Sequence, residues 1–216
     1  MKRILVLFLC FIVCPVFAQK ATGFCSNMAP RVYVRPRIGT PQYSSAYSKE
    51  EFLKKSGRPA DPNTLGLTVV EMSMNAKVSP SVQQRSGEIC VGISKLEVEL
   101  YFPTFKVYID KKYPHSSCEY KIIKEHENYH VAVAQQALIF YKKDVEKAAY
   151  KALKGLSPRI VHSQSEIQAA VDSLSSPVFS AVNAVIQHIN RKLIEKNAAI
   201  DTPEMYRATT AKCSHW

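Results

Sequence analysis

Leu96-Glu97-Val98-Glu99-Leu100-Tyr101-Phe102 alternates apolar and polar side chains, and Phe105-Lys106-Val107-Tyr108-Ile109 resumes the alternation after Pro103-Thr104. A period of two sends successive side chains to opposite faces, so these segments predict two half-buried antiparallel strands. Beyond them the period changes. Pro114 and Ser116-Ser117 mark a turn, and from Glu119 to about Leu153 the spacing is helical until Gly155 and Pro158 stop it. A second helical stretch runs from Ser165 to about Asn197, with Ile167, Val171, Leu174, Val178, Val182, Val185, Ile189 and Leu193 on one stripe. Pro177 makes it either two helices or one kinked helix. A chain that switches from strand to helix period in this way predicts an α+β domain, strand-rich over residues 19–112 and helical over 113–216.

The remainder of the first half fits that division. Arg31 to Arg35 alternates as a strand, and Leu67 to Val78 reads as another. Between them Ser48-Lys49-Glu50-Glu51 is a capping box that opens a short helix, closed by Gly57. Pro59, Pro62, Asn63 and Gly66 make residues 58–66 a loop.

The first residues predict export. Lys2 and Arg3 precede an apolar run from Ile4 to Val13, and Val16-Phe17-Ala18 offers a cleavage point before Gln19, so residues 1–18 read as a signal peptide. The run is short for a membrane span. Neither Cys10 nor Cys14 follows the small residue that a lipoprotein signal needs, and both fall in the removed peptide. Four cysteines remain, Cys25, Cys90, Cys118 and Cys213. An even number in an exported chain predicts two disulfides, and of the three connectivities Cys25–Cys90 with Cys118–Cys213 is preferred, because the second would tie the entry of the first long helix to the C-terminal segment. There is no Cys-x-x-Cys pair to suggest a cysteine metal site. The formal charge of +11 falls to +9 without Lys2 and Arg3. The basic residues are scattered, with no nucleic-acid-binding motif. They predict a solvated basic surface, with at most weak attraction to an anionic cell envelope.

Chemistry concentrates in His126-Glu127-Asn128-Tyr129-His130, inside the first long helical stretch. Residues four apart share a helix face, so both imidazoles can reach one metal ion. Glu127, one step round, can reach a water on that ion instead of the ion itself. The arrangement suits one zinc ion: two neutral nitrogens and a third ligand hold it, it lowers the pKa of its water and polarises a carbonyl, and Glu127 moves the proton to the leaving amine.

The motif resembles the zincin superfamily of metallopeptidases. That resemblance implies a zincin-like fold, with a strand-rich sheet before the active-site helix and more helix after it. It also implies a peptide or protein substrate lying along an edge strand, which Leu96–Phe102 or Phe105–Ile109 would supply. Metzincins carry Gly and His where this chain has Val133 and Gln136, so the third ligand must lie further on. Candidates are His162, Glu166, His188, Asp201 and Glu204. The segment Asp201-Thr202-Pro203-Glu204-Met205-Tyr206 is favoured, since it offers two carboxylates as ligands and, in Tyr206, a catalytic group that could stabilise an oxyanion. The layout is also similar to predicted secreted zinc-dependent proteases of bacteria, in which an Asp-centred segment ends in His-Gly; here Tyr206 and Arg207 stand at those positions. The same residues also read as a plain helix start, with Asp201 or Thr202 as N-cap, Pro203 near the first position and Glu204 completing a capping box.

The sequence therefore predicts an exported zinc metallopeptidase, periplasmic or secreted. The alternatives are a zinc-binding protein without turnover and a basic cell-envelope interaction protein in which the motif is accidental.

Overall fold

A computed structural model describes residue 25 and residues 29–59 and 63–216. The expected signal peptide lies outside these residues, as does part of the 58–66 loop. The frame is a long antiparallel hairpin of β4 (Ser73–Arg85) and β5 (Glu88–Tyr101). It closes through Ser86-Gly87, both at positive φ (51° and 85°), in the two-residue turn that suits the strand twist. A register shift at Ser79/Pro80 accommodates a proline that has no N–H to pair. β1 (Arg31–Pro36) pairs in parallel with residues 95–100 of β5, and β7 (Arg159–Val161) pairs antiparallel with residues 89–91. The helical half of the chain thus returns one strand to this sheet.

The second sheet has the order β2-β6-β3, from β2 (Gln42–Ser44), β6 (Phe105–Ile109) and β3 (Gly66–Val70). The two alternating segments of the sequence are therefore both strands, but they do not pair with one another. β5 is antiparallel to β4 and β6 to β3, and each also has a parallel neighbour. Leu67 to Val78, expected as one strand, is two. The chain changes sheets at Glu71-Met72, where Met72 is buried and its N–H and C=O are both taken by the amide of Asn190, at 2.9 Å each.

Four helices cover these sheets as their apolar positions dictate. α1 (Lys49–Lys55) has the capping box on Ser48 and ends on Gly57, at φ +67°. The Gly57 N–H reaches the Lys54 carbonyl and the Arg58 N–H the Leu53 carbonyl, both bonds of a Schellman ending. Phe52 stacks on Tyr108 at 5.8 Å, so β6 is covered by α1 on the face opposite α2 and is buried on both sides. α2 (Cys118–Phe140) starts at N-cap Ser117 and turns Ile123, Val131 and Ala134 onto the small sheet. The stretch expected to be helical from Glu119 to about Leu153 breaks at Tyr141, and α3 (Lys142–Lys154) follows, burying Val145, Ala149 and Leu153.

α4 (Ile167–Ala198) is a single helix through Pro177. Pro177 and Ser173, whose carbonyl loses its usual partner, are both exposed, so solvent can satisfy that carbonyl. Gln164–Ala198 is long and apolar enough to cross a membrane, yet Val171, Leu174, Val178, Val182, Ile186, Ile189 and Leu193 lie in the main core against the large sheet. α5 (Pro203–Thr210) closes the chain. Two disulfides, Cys25–Cys90 and Cys118–Cys213, have Cα–Cα distances of 5.8 and 5.9 Å. Such pairs persist in an oxidising environment, as expected of an exported protein.

Candidate metal centre

The site forms where α2 passes between β3 and the C-terminal end of α4. His126, Glu127 and His130 all fall on the buried side of α2. Asp201 follows α4, and the N-cap of α5 is Thr202, whose hydroxyl accepts the Met205 N–H. That leaves the Asp201 carboxylate free of capping. Its Oδ1 lies 3.0 Å from both His126 Nε2 and His130 Nε2, which are 3.3 Å from each other. These atoms are spaced as ligands around one ion, and the three residues form a group that could hold a metal. The imidazoles are buried while the Asp201 side chain is 38 % exposed, so the group opens to solvent on the aspartate side.

Two further side chains orient residues of the site, one in the group and one beside it, and sequence reasoning missed both. His130 Nδ1 lies 3.1 Å from Asn197 Oδ1, near the end of α4. A proton on Nδ1 donated to that oxygen leaves Nε2 bare and aimed at the shared focus. Thr68 Oγ1 on β3 donates to Glu127 Oε2 at 2.7 Å. Gly66, two residues earlier on the same strand, allows the close approach: a Cβ there would lie 2.7 Å from Glu127 Oε1 and 2.8 Å from Ile123 Cγ2. Among the described residues Glu127 stands beside the metal group, not in it.

The electrostatics follow from burial and from the three-way contact. Burial pushes the Glu127 carboxyl up, and the opposing pull of His130, the Thr68 hydroxyl and His126 does not cancel it. Burial likewise pushes the Asp201 carboxyl up, but the hydrogen bonds and charges of His126 and His130 outweigh it and hold the group below the ordinary carboxylate range. Burial disfavours the charged form of His130, and Asp201, Glu127 and Asn197 more than compensate, so its net shift is upward.

Of the other residues singled out from the sequence, the structure brings only Tyr206 to this cluster. Its ring centroid is 5.7 Å from that of His126. Glu204 instead pairs with Arg207 at 2.8 Å on the exposed face of α5. Because Thr202 is the N-cap, Glu204 is one position too early to complete a capping box. Glu166 turns back to accept the His162 N–H, and His188 lines a surface pocket with Tyr141 and Asp144. The expected substrate edge also needs correction. β5 and β6 are each paired on both sides, so neither is an edge; the edges of the small sheet are β2 and β3.

Gly66→Ala tests the packing on Glu127. The added methyl meets a buried carboxylate and a buried isoleucine on a helix that is fixed elsewhere, and is expected to destabilise the fold by about 1–3 kcal/mol. A denaturation curve with an unchanged midpoint would show that β3 does not constrain Glu127. Comparison with family models, curated proteins and solved structures returns no match.

Proposed function

We propose that this chain is an exported zinc-dependent metallopeptidase. The carrying observation is a buried carboxylate, Glu127, fixed by Thr68 beside a focus of two imidazole nitrogens and one aspartate oxygen. Zinc bonds of about 2.0–2.1 Å at tetrahedral angles place ligand atoms roughly 3.3–3.5 Å apart, close to the 3.0, 3.0 and 3.3 Å found here. Two nitrogens and one oxygen suit zinc, and three protein ligands leave its fourth position for catalysis. Zinc bound there would lower the pKa of its water to about 7 and polarise the scissile carbonyl.

The chain's own residues do the rest. His126 and His130 bind the ion, with His130 oriented by Asn197. Asp201 supplies the negative charge that offsets part of the ion's. Glu127 takes the proton of the attacking water and delivers it to the leaving amine, and its raised proton affinity suits that task. Tyr206, whose ring lies 5.7 Å from that of His126, would donate its hydroxyl to an oxyanion. β3 is the natural docking edge for an extended peptide, since Gly66 and Thr68 on that strand already touch Glu127.

One tightly bound zinc per chain is expected on metal analysis of unchelated protein, with stoichiometric zinc lost in His126→Ala and in His130→Ala. A chelator should abolish cleavage of casein or a peptide library, and added zinc should restore it. Preparations without stoichiometric metal would defeat the reading.

A further inference from the structure

α3 buries Val145, Ala149 and Leu153, and its opposite side faces solvent. On that side Lys143, Lys147, Tyr150, Lys151 and Lys154 are all exposed. With a helical advance of about 100° per residue they share an arc of roughly 100°. Asp144 and Glu146 stand outside the arc, and Glu146 is engaged by Lys142 at 3.5 Å. Among the described residues, none of the four lysines in the arc makes a salt bridge. Like charges three and four positions apart repel, so the stripe weakens the helix that bears it. The buried face of α3 helps to hold the lysines together, and an anionic counterpart would relieve the repulsion.

We propose that this face of α3 docks on an anionic lipid bilayer. A straight stripe about 17 Å long, on a convex helix, matches a plane better than a groove. Tyr150, 55 % exposed at its centre, has the apolar ring and polar tip that settle at headgroup depth. Ile139 and Phe140, 58 % and 70 % exposed, end α2 immediately before the stripe begins. An interfacial helix combines basic and apolar side chains in this way, whereas a soluble polyanion held by phosphate contacts has no use for the apolar ones. The stripe is on a different helix from the metal group, and the proposal does not rest on the peptidase reading.

Flotation of the purified exported form decides it, using vesicles of phosphatidylcholine alone and vesicles with about one third phosphatidylglycerol. Binding to the anionic vesicles is expected to be at least tenfold stronger and to fall as salt is raised. Lys147→Gln/Lys151→Gln should weaken it about thirtyfold, from roughly fivefold per lysine. Lys54→Gln/Lys77→Gln makes the same change in net charge away from α3 and should cost less than about twofold. Unfolding midpoints within error of the parent check that both variants fold. Equal binding to neutral vesicles overturns the proposal. So does an equal loss in the control pair, which would assign the attraction to net charge alone. Capture by immobilised polyphosphate without flotation would overturn it in favour of a soluble polyanion.

Discussion

Glu127→Gln is expected to keep the fold and the metal and to lower peptide hydrolysis by about 10²–10⁴-fold, the range for removing a positioned general acid–base group. Glutamine has nearly the same volume, which matters where Gly66 and Ile123 pack against the side chain. Its amide oxygen can still accept the Thr68 hydroxyl that now reaches Glu127 Oε2 at 2.7 Å. What disappears is a buried group able to take up a proton, and burial pushes the proton affinity of this carboxyl upward. Glu127 stands outside the group that could hold an ion, His126, His130 and Asp201, so metal content should not change. The measurement is kcat and KM on one peptide at saturating zinc, with zinc content and an unfolding curve for both proteins. A fall in kcat with KM nearly constant marks an interaction made in the transition state. Undiminished kcat would remove Glu127 from its role and leave a metal site without this mechanism.

How much of this could be read beforehand depends on the range of the interaction concerned. Local signals were legible. The capping box on Ser48, the glycine that ends α1 and the two imidazoles on one side of α2 each involve residues at most a few positions apart. Interactions between distant segments were not. Nothing in the alternation around Leu67–Val78 marks the change of sheet at Met72, because the cause is Asn190, 118 residues away. The first half of β5 shows no alternation, since Ile89, Val91 and Ile93 enter the core while Cys90, on the other face, is covered through its bond to Cys25. Asp201 and Glu204 are chemically equivalent as candidates in the sequence. They part only because Thr202 takes the capping role and points one carboxylate at the histidines and the other at Arg207. Asn197 and Thr68 bear on the site solely through tertiary contact, and a polar residue at the end of an amphipathic helix or in an edge strand carries no local mark of that.

The largest stability effect is expected at Cys118–Cys213, and it should reach the metal. Cys118 is the first residue of α2 and Cys213 follows α5, so the bond closes a loop spanning a sequence separation of 95 that contains all three residues of the candidate metal group. Apart from this bond the C-terminal segment is held weakly. α5 buries only Thr209. The Lys212–Glu125 pair, at 3.6 Å, is half exposed on both sides, a setting in which an ion pair contributes about 0–1 kcal/mol. Ring contacts of Tyr206 with His126 and of Trp216 with Tyr113, and the approach of Asp201 to both imidazoles, add to the attachment. Removing a native disulfide costs about 2–5 kcal/mol. If about 1.4 kcal/mol of that falls on the segment carrying Asp201, metal affinity drops tenfold. Cys118→Ser/Cys213→Ser should therefore melt earlier and also lose zinc to a competing chelator at concentrations about tenfold lower. Cys25→Ser/Cys90→Ser is the matched control, because Cys90 lies in the large sheet; it should melt earlier with metal affinity changed less than about twofold. Equal affinity in the two variants would mean that Asp201 is held in place by α4 and α2 alone.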